Sequence, residues 1–139
     1  MPLLKDNPVA APFGDRFAHV ARIDGGSLLI TAGQVAVDDD GAVVAPGDVV
    51  AQSERIFEIL GGILAAHGAT FADVAHVRTF MTNLDDLRGY GSVRDRFFPA
   101  DPPASTTVEV SRLFLPGAVL EVELTAVIPS GGAASPRTS

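Results

Sequence analysis

The chain predicts an α+β fold, a mixed β-sheet with two helices laid over one of its faces. Three observations carry that expectation. "ADVAHVRTFMTNL", "STTVEV" and "LEVELTAVI" alternate with the period of two that strands require. "GDVVAQSERIFEILGGILAAHG" switches to helical spacing, and "LDDLRGYGSVRDRFF" does so again. The order is therefore strands, helix, strand, helix, strands.

Phe17 to Ile23 and Ser27 to Ala32 read as short strands around the turn signal "DGG". "GQVAVDDDGAVV" continues extended, with Asp40-Gly41 as a second hairpin-type turn. In the first helix the apolar stripe is Val49, Ile56, Leu60, Ile63 and Leu64, with Asp48 as N-cap and Gly68 as the stop. Gly61 and Gly62 each cost a helix about 1 kcal/mol relative to Ala, which points to close packing at that spot.

The next strand sorts Ala75, Val77, Thr79 and Met81 onto one face and His76, Arg78, Phe80 and Thr82 onto the other. The second helix starts acidic, carries the stripe Leu87, Tyr90, Val93 and Phe97, and stops before Pro99. In the following strand Thr106, Val108 and Val110 oppose Ser105, Thr107, Glu109 and Ser111. In the last, Leu120, Val122, Leu124, Ala126 and Ile128 are apolar, opposed by Val119, Glu121, Glu123 and Thr125. The face turned from the helices is expected to hold His76, Arg78, Glu109, Glu121 and Glu123 together with Phe80 and Val119. A face so mixed is either solvated or meets copies of itself.

The 139 residues fit one domain over residues 1–128, and "PSGGAASPRTS" at 129–139 has too little to bury to hold a fixed structure. Ten basic residues against seventeen acidic ones give a net charge of −7, the wrong sign for a surface that displaces phosphate counterions. Zero cysteines exclude disulfides, thiolate nucleophiles and cysteine zinc sites. The start "MPLLKDNP" lacks a signal-peptide layout and no apolar run approaches a bilayer span, so a soluble, cytoplasmic protein without membrane partners is expected.

Chemistry-bearing residues are few. Ser105 opens a strand, where its hydroxyl serves local backbone groups, lines a pocket or acts as a nucleophile. The last role needs a nearby base, and none of His19, His67 and His76 stands in a triad context. His67 and His76 fall on different elements, and Asp38 to Asp40 form a turn without calcium-loop spacing, so no metal is expected. Glu121 and Glu123 share a strand face, as a solvated pair or as a pair able to divide acid and base work.

Taken in series, "LLITAGQVAVDDDGAVV", "GDVVAQSERIFEILGGILAAHGATFADV", "TFMTNLDDL", "FFPADPPAS", "TVEVSRL" and "LEVELTAV" resemble the reactive intermediate deaminase (Rid) family, also called YjgF or L-PSP endoribonuclease-like. The resemblance spans roughly residues 15 to 128. It implies a chorismate-mutase-like fold and a homotrimer with a central β-barrel, with small-metabolite clefts between subunits. It also implies hydrolysis of imines and enamines without a cofactor. In deaminating members the tract "PAST" reads Pro-Ala-Arg-Ser, and the arginine grips the substrate carboxylate with two prongs. Ser105 stands in its place. A charge-assisted hydrogen bond contributes about 1.5–3 kcal/mol, so 2-iminoacid binding should weaken by at least about tenfold.

The resemblance makes Glu121 the residue that positions a water and Gly33 part of the pocket backbone. Phe17 becomes an aromatic wall without the family's hydroxyl, and Thr107 a pocket position. Arg78 replaces a small hydroxyl; it either supplies the cation that Ser105 lacks or pairs with Glu109 or Glu121. Glu123 and Arg112 are read as structural. Gly91 and Arg94 replace the asparagine and tyrosine usual in the second helix.

Overall fold

The computed structural model describes residues 2–129 and, at Asp15, the backbone alone. The expectation for 129–139 therefore lies, Pro129 aside, outside the described residues. The chain runs β1 (Leu3–Asp6), β2 (Val20–Ile23), β3 (Ser27–Ile30), α1 (Val49–Ala66), β4 (Val74–Met81), α2 (Leu87–Phe97), β5 (Ala104–Glu109) and β6 (Leu120–Ile128).

Four strands form one sheet in the order β3-β6-β4-β5, parallel only between β4 and β5. It is the mixed sheet expected, with the two helices on one face. Strand β1, which the sequence reading did not include, pairs with β2 in a separate two-stranded ribbon. The "DGG" turn forms, with Gly25 and Gly26 at φ +92° and +84°. It does not close a hairpin: it hands the chain from the ribbon to the main sheet. Asp40-Gly41 does close one, with Val37 opposite Val43 and the Asp38 amide donating to the Ala42 carbonyl at 2.9 Å.

Helix α1 starts where Asp48 accepts from the Ala51 amide and stops before Gly68, at φ +72°. It buries Ile56, Phe57, Leu60 and Leu64 against the sheet residues Val74, Val77, Leu120, Val122 and Leu124. Five aromatic rings close the space between the helices. Phe57 stacks on Phe97 at 4.9 Å and on Tyr90 at 6.2 Å, and Phe71 meets Phe98 edge-on at 5.6 Å. The close packing expected of the glycine pair holds at Gly61, where an added Cβ would lie 3.3 Å from Phe71. It does not hold at Gly62, which is exposed with nothing within 4 Å.

One buried polar side chain fixes the loop ends. Gln52 of α1 donates to the carbonyls of Val44, Ala45 and Gly117 and accepts from the Val119 amide. Those bonds tie the loop before α1 to the segment that enters β6. Among the described residues no helix is long and apolar enough to cross a membrane.

Candidate functional site

Two sets of candidate residues lie on opposite faces of the sheet. The first is a cleft of about 700 Å³ at the β5 edge, lined by Phe17, Ser105 and Thr107 and by α2. Parallel pairing of β5 with β4 sets Ser105 beside Val77 and Thr107 beside Thr79, on the face under the helices. The Ala18 amide donates to the Pro103 carbonyl at 3.0 Å, which draws Phe17 against the start of β5. Among the described residues no histidine lines this cleft, so none of them gives Ser105 an imidazole base there.

Three arginines do line it: Arg16 before β2, and Arg88 and Arg94 on α2, against one aspartate among the described residues, Asp95. The sequence reading noticed position 94 only as a departure from the family. Arg94 and Gly91 stand one helical turn apart, which was the available signal that both face the same space.

Behind Arg94 is a rigid support. Its guanidinium carbon sits 5.8 Å from the centre of the Tyr90 ring. The Tyr90 hydroxyl and Thr79 Oγ1 share a 2.6 Å hydrogen bond in the core. Burial pushes the Tyr90 phenol above its ordinary range, so it stays neutral and holds the bond.

The second set faces away from the helices. The Thr31 amide donates to the Leu124 carbonyl, while Gln34 exchanges two backbone bonds with Val122. Ala32 and Gly33 together oppose Glu123 alone, a one-residue bulge. Among the described residues neither bulge amide donates to a protein acceptor. Glu121 lies directly beneath: a Cβ on Gly33 would come within 2.7 Å of the Glu121 carboxyl carbon. A side chain at position 33 would make the Glu121 carboxylate swing aside. The result is a half-buried carboxylate next to two amides without a protein acceptor among the described residues, able to hold a water against a carbonyl-like group.

Arg78 belongs to this second face and not to the cleft. The partner is also different from the two expected: its guanidinium meets Glu123 at 2.7 Å, because β4 and β6 pair in the register Arg78 with Glu123. Glu109 was expected on this face too. Its pairing with Met81 puts it on the other, where its carboxylate accepts from the Leu84 amide at 3.0 Å. Thus Phe17, Ser105 and Thr107 come together, Gly33 and Glu121 come together, and the sheet itself separates the groups. Among the described residues no three His, Asp or Glu side chains gather as metal ligands.

The family model for endoribonuclease L-PSP matches residues 11–128. The protein DfrA of Myxococcus xanthus is 36% identical over 111 residues, covering 80% of this chain and 84% of its own. A 2-iminobutanoate/2-iminopropanoate deaminase of Salmonella typhimurium is 35% identical over 98 residues, covering 68% and 76%. The crystal structure of YyfB from Yersinia pestis, of the conserved Rid protein family, superposes with a TM-score of 0.82 at 32% identity, over 92% of this chain and all of that one.

Proposed function

The chain belongs to the endoribonuclease L-PSP family, the Rid proteins, and we propose that it hydrolyses the C=N bond of an imine or enamine at sites completed between copies of itself. One observation carries this reading. The Gly33–Glu121 set and the Phe17–Ser105–Thr107 cleft lie on opposite sheet faces, so only a neighbouring copy can bring one against the other. The uncovered face supports such an assembly, a homotrimer with the sheets turned inward: it exposes Leu28 at 58% and Ile30 at 70%. Apolar strand residues left bare beside ionised ones mark a surface meant to be covered.

In the protonated imine, the water oxygen bonds to the carbon as Glu121 takes a proton from that water, giving a neutral carbinolamine. Glu121 returns the proton to nitrogen, the C–N bond breaks with its electron pair going to the departing ammonia, and the hydroxyl proton passes back to Glu121 as the C=O bond of the carbonyl product forms. The bulge amides stabilise charge that develops on the substrate. No covalent intermediate, metal or organic cofactor enters. With serine at position 105, the short 2-iminoacids gripped by the family's arginine are not the expected substrates.

Glu121→Gln, assayed with freshly generated imines by ammonia release, should lower turnover at least about a hundredfold, the range of a lost general base. Full turnover in that variant defeats the mechanism. A second reading, ligand binding without turnover, is favoured by the missing guanidinium at 105. It predicts thermal stabilisation by carbonyl compounds with no ammonia from any imine. Cleavage of RNA, which the family's name suggests, fits poorly with the net charge of −7.

A further inference from the structure

We infer that the cleft beside Ser105 binds an anionic group of its ligand through Arg94, so that helix α2 supplies the guanidinium that strand β5 lacks. This rests on the reading of that cleft as the substrate site. The charge distribution is the first support. The chain carries net −7, yet among the described residues three arginines line this one cleft against one acidic side chain, Asp95. Such a local reversal of sign raises the concentration of anions where the surrounding surface repels them.

Arg94 is also held ready and left largely unanswered. Its side chain is only 13% exposed, so much of its hydration has been given up. A guanidinium offers five N–H donors. Among the described residues the one acceptor it meets is Asp95 Oδ1, at 3.5 Å and on a side chain that is 64% exposed. That bond is at the limit of useful length and in water, so it competes weakly with a bound anion. The Tyr90 ring 5.8 Å from the guanidinium carbon, itself tied to Thr79, gives the side chain a fixed surface to rest on. An arginine positioned in advance loses little freedom when it grips a planar anion with two prongs.

Gly91 supplies the room. It lines the cleft one turn before Arg94, and nothing lies within 4 Å of where its Cβ would be. A side chain there would take up open space at the wall that also carries Arg94. The two departures in α2 thus act together, one giving charge and the other giving volume. Arg88 lines the same wall and adds to the positive field.

The full-length protein can be titrated by calorimetry with 2-oxobutanoate, 4-oxopentanoate, glycerone phosphate and uncharged pentan-2-one, in low and high salt. At least one anion should bind more tightly than pentan-2-one and weaken as salt rises. The ranking among the three tells carboxylate from phosphate, and a near charge from a remote one. Arg94→Gln should lower that affinity about ten- to a hundredfold, the effect of a lost charge-assisted pair. Gly91→Val should do the same by filling the cleft while leaving the guanidinium in place, which guards against a misfolded Arg94 variant. Equal affinity for pentan-2-one, no binding of any anion, or unchanged affinity in both variants overturns the inference. Anion binding that needs Arg94 without any imine turnover leaves it standing and defeats the hydrolytic reading. Turnover that ignores Arg94 does the reverse.

Discussion

The two faces of the main sheet are built from the same strands and have opposite logic. Under the helices, Val77, Met81, Leu120, Val122 and Leu124 are at most 1% exposed, and a single chain completes their burial. On the other face Leu28, Ile30 and Val108 remain exposed among Arg78, Glu121 and Glu123. One face is a core; the other is left open. The difference locates the folding stability of a single chain on the first face, and substitutions can probe each face separately. The largest effect is expected at Phe57, fully buried and stacked on Phe97. Phe57→Ala should cost about 3–5 kcal/mol, as large-to-small changes in aromatic cores do. Urea denaturation followed by circular dichroism reads this as a lower midpoint at unchanged slope.

A smaller effect is expected where the core touches the cleft. Tyr90→Phe removes the partner of Thr79 Oγ1, on a residue only 1% exposed. A buried hydroxyl left unpaired costs about 1–3 kcal/mol. Adding Thr79→Val removes the orphaned group, so the double variant should recover much of that loss in the same denaturation experiment. If the two single losses simply add, the bond is not what links strand to helix here.

What was legible in the sequence follows the range of each signal. The ends of α1 were readable because Asp48 and Gly68 act on backbone groups a few residues away. The faces of β4 were readable because alternation is local. Register is not local. The β4–β6 register sets Arg78 opposite Glu123, whereas alternation alone fits Glu121 or Glu123 equally. The same limit misplaced Glu109, whose face depends on its parallel pairing with Met81. Strand β1, four residues long, owes its existence to partners such as Ile23 twenty positions on. The arginine-lined cleft draws on a turn before β2 and on α2, segments that share no local pattern. Gly33 and Glu121 were identified through resemblance; the bulge that joins them appears only in the pairing.

Acid should weaken the open face before it weakens the core. His76 sits there with its Nε2 3.3 Å from Thr106 Oγ1, and burial followed by the Arg78 charge holds its pKa below the ordinary 6.5, while Glu123 opposes the shift. The unfolded chain therefore binds a proton at His76 more readily than the folded one. Its contribution to stability is whole above about pH 6.5 and is lost as the pH falls through the lower folded value. Thermal melts between pH 7.5 and pH 5 should show a steeper decline for the wild type than for His76→Gln. Identical declines would mean that other groups carry the acid sensitivity.

The smallest effect on the chain itself, and the sharpest test of the contrast, is expected at Ile30. It is 70% exposed on β3 opposite Thr125, on the same side as Glu121 and Glu123. Ile30→Lys adds a solvated cation at a site with almost no apolar contact to lose, so the stability of the isolated fold should change by no more than about 0.5 kcal/mol. If the open face meets copies of itself, the same lysine is driven into an apolar seam, where an unpaired charge costs several kcal/mol. Light scattering coupled to size exclusion should then show a trimer for the wild type and smaller species for the variant. Imine turnover should fall with the loss of assembly, although neither Glu121 nor the cleft has been altered. A variant that stays trimeric and active would show that this face does not form the contact. Glu121 would then have no route to the cleft at Ser105.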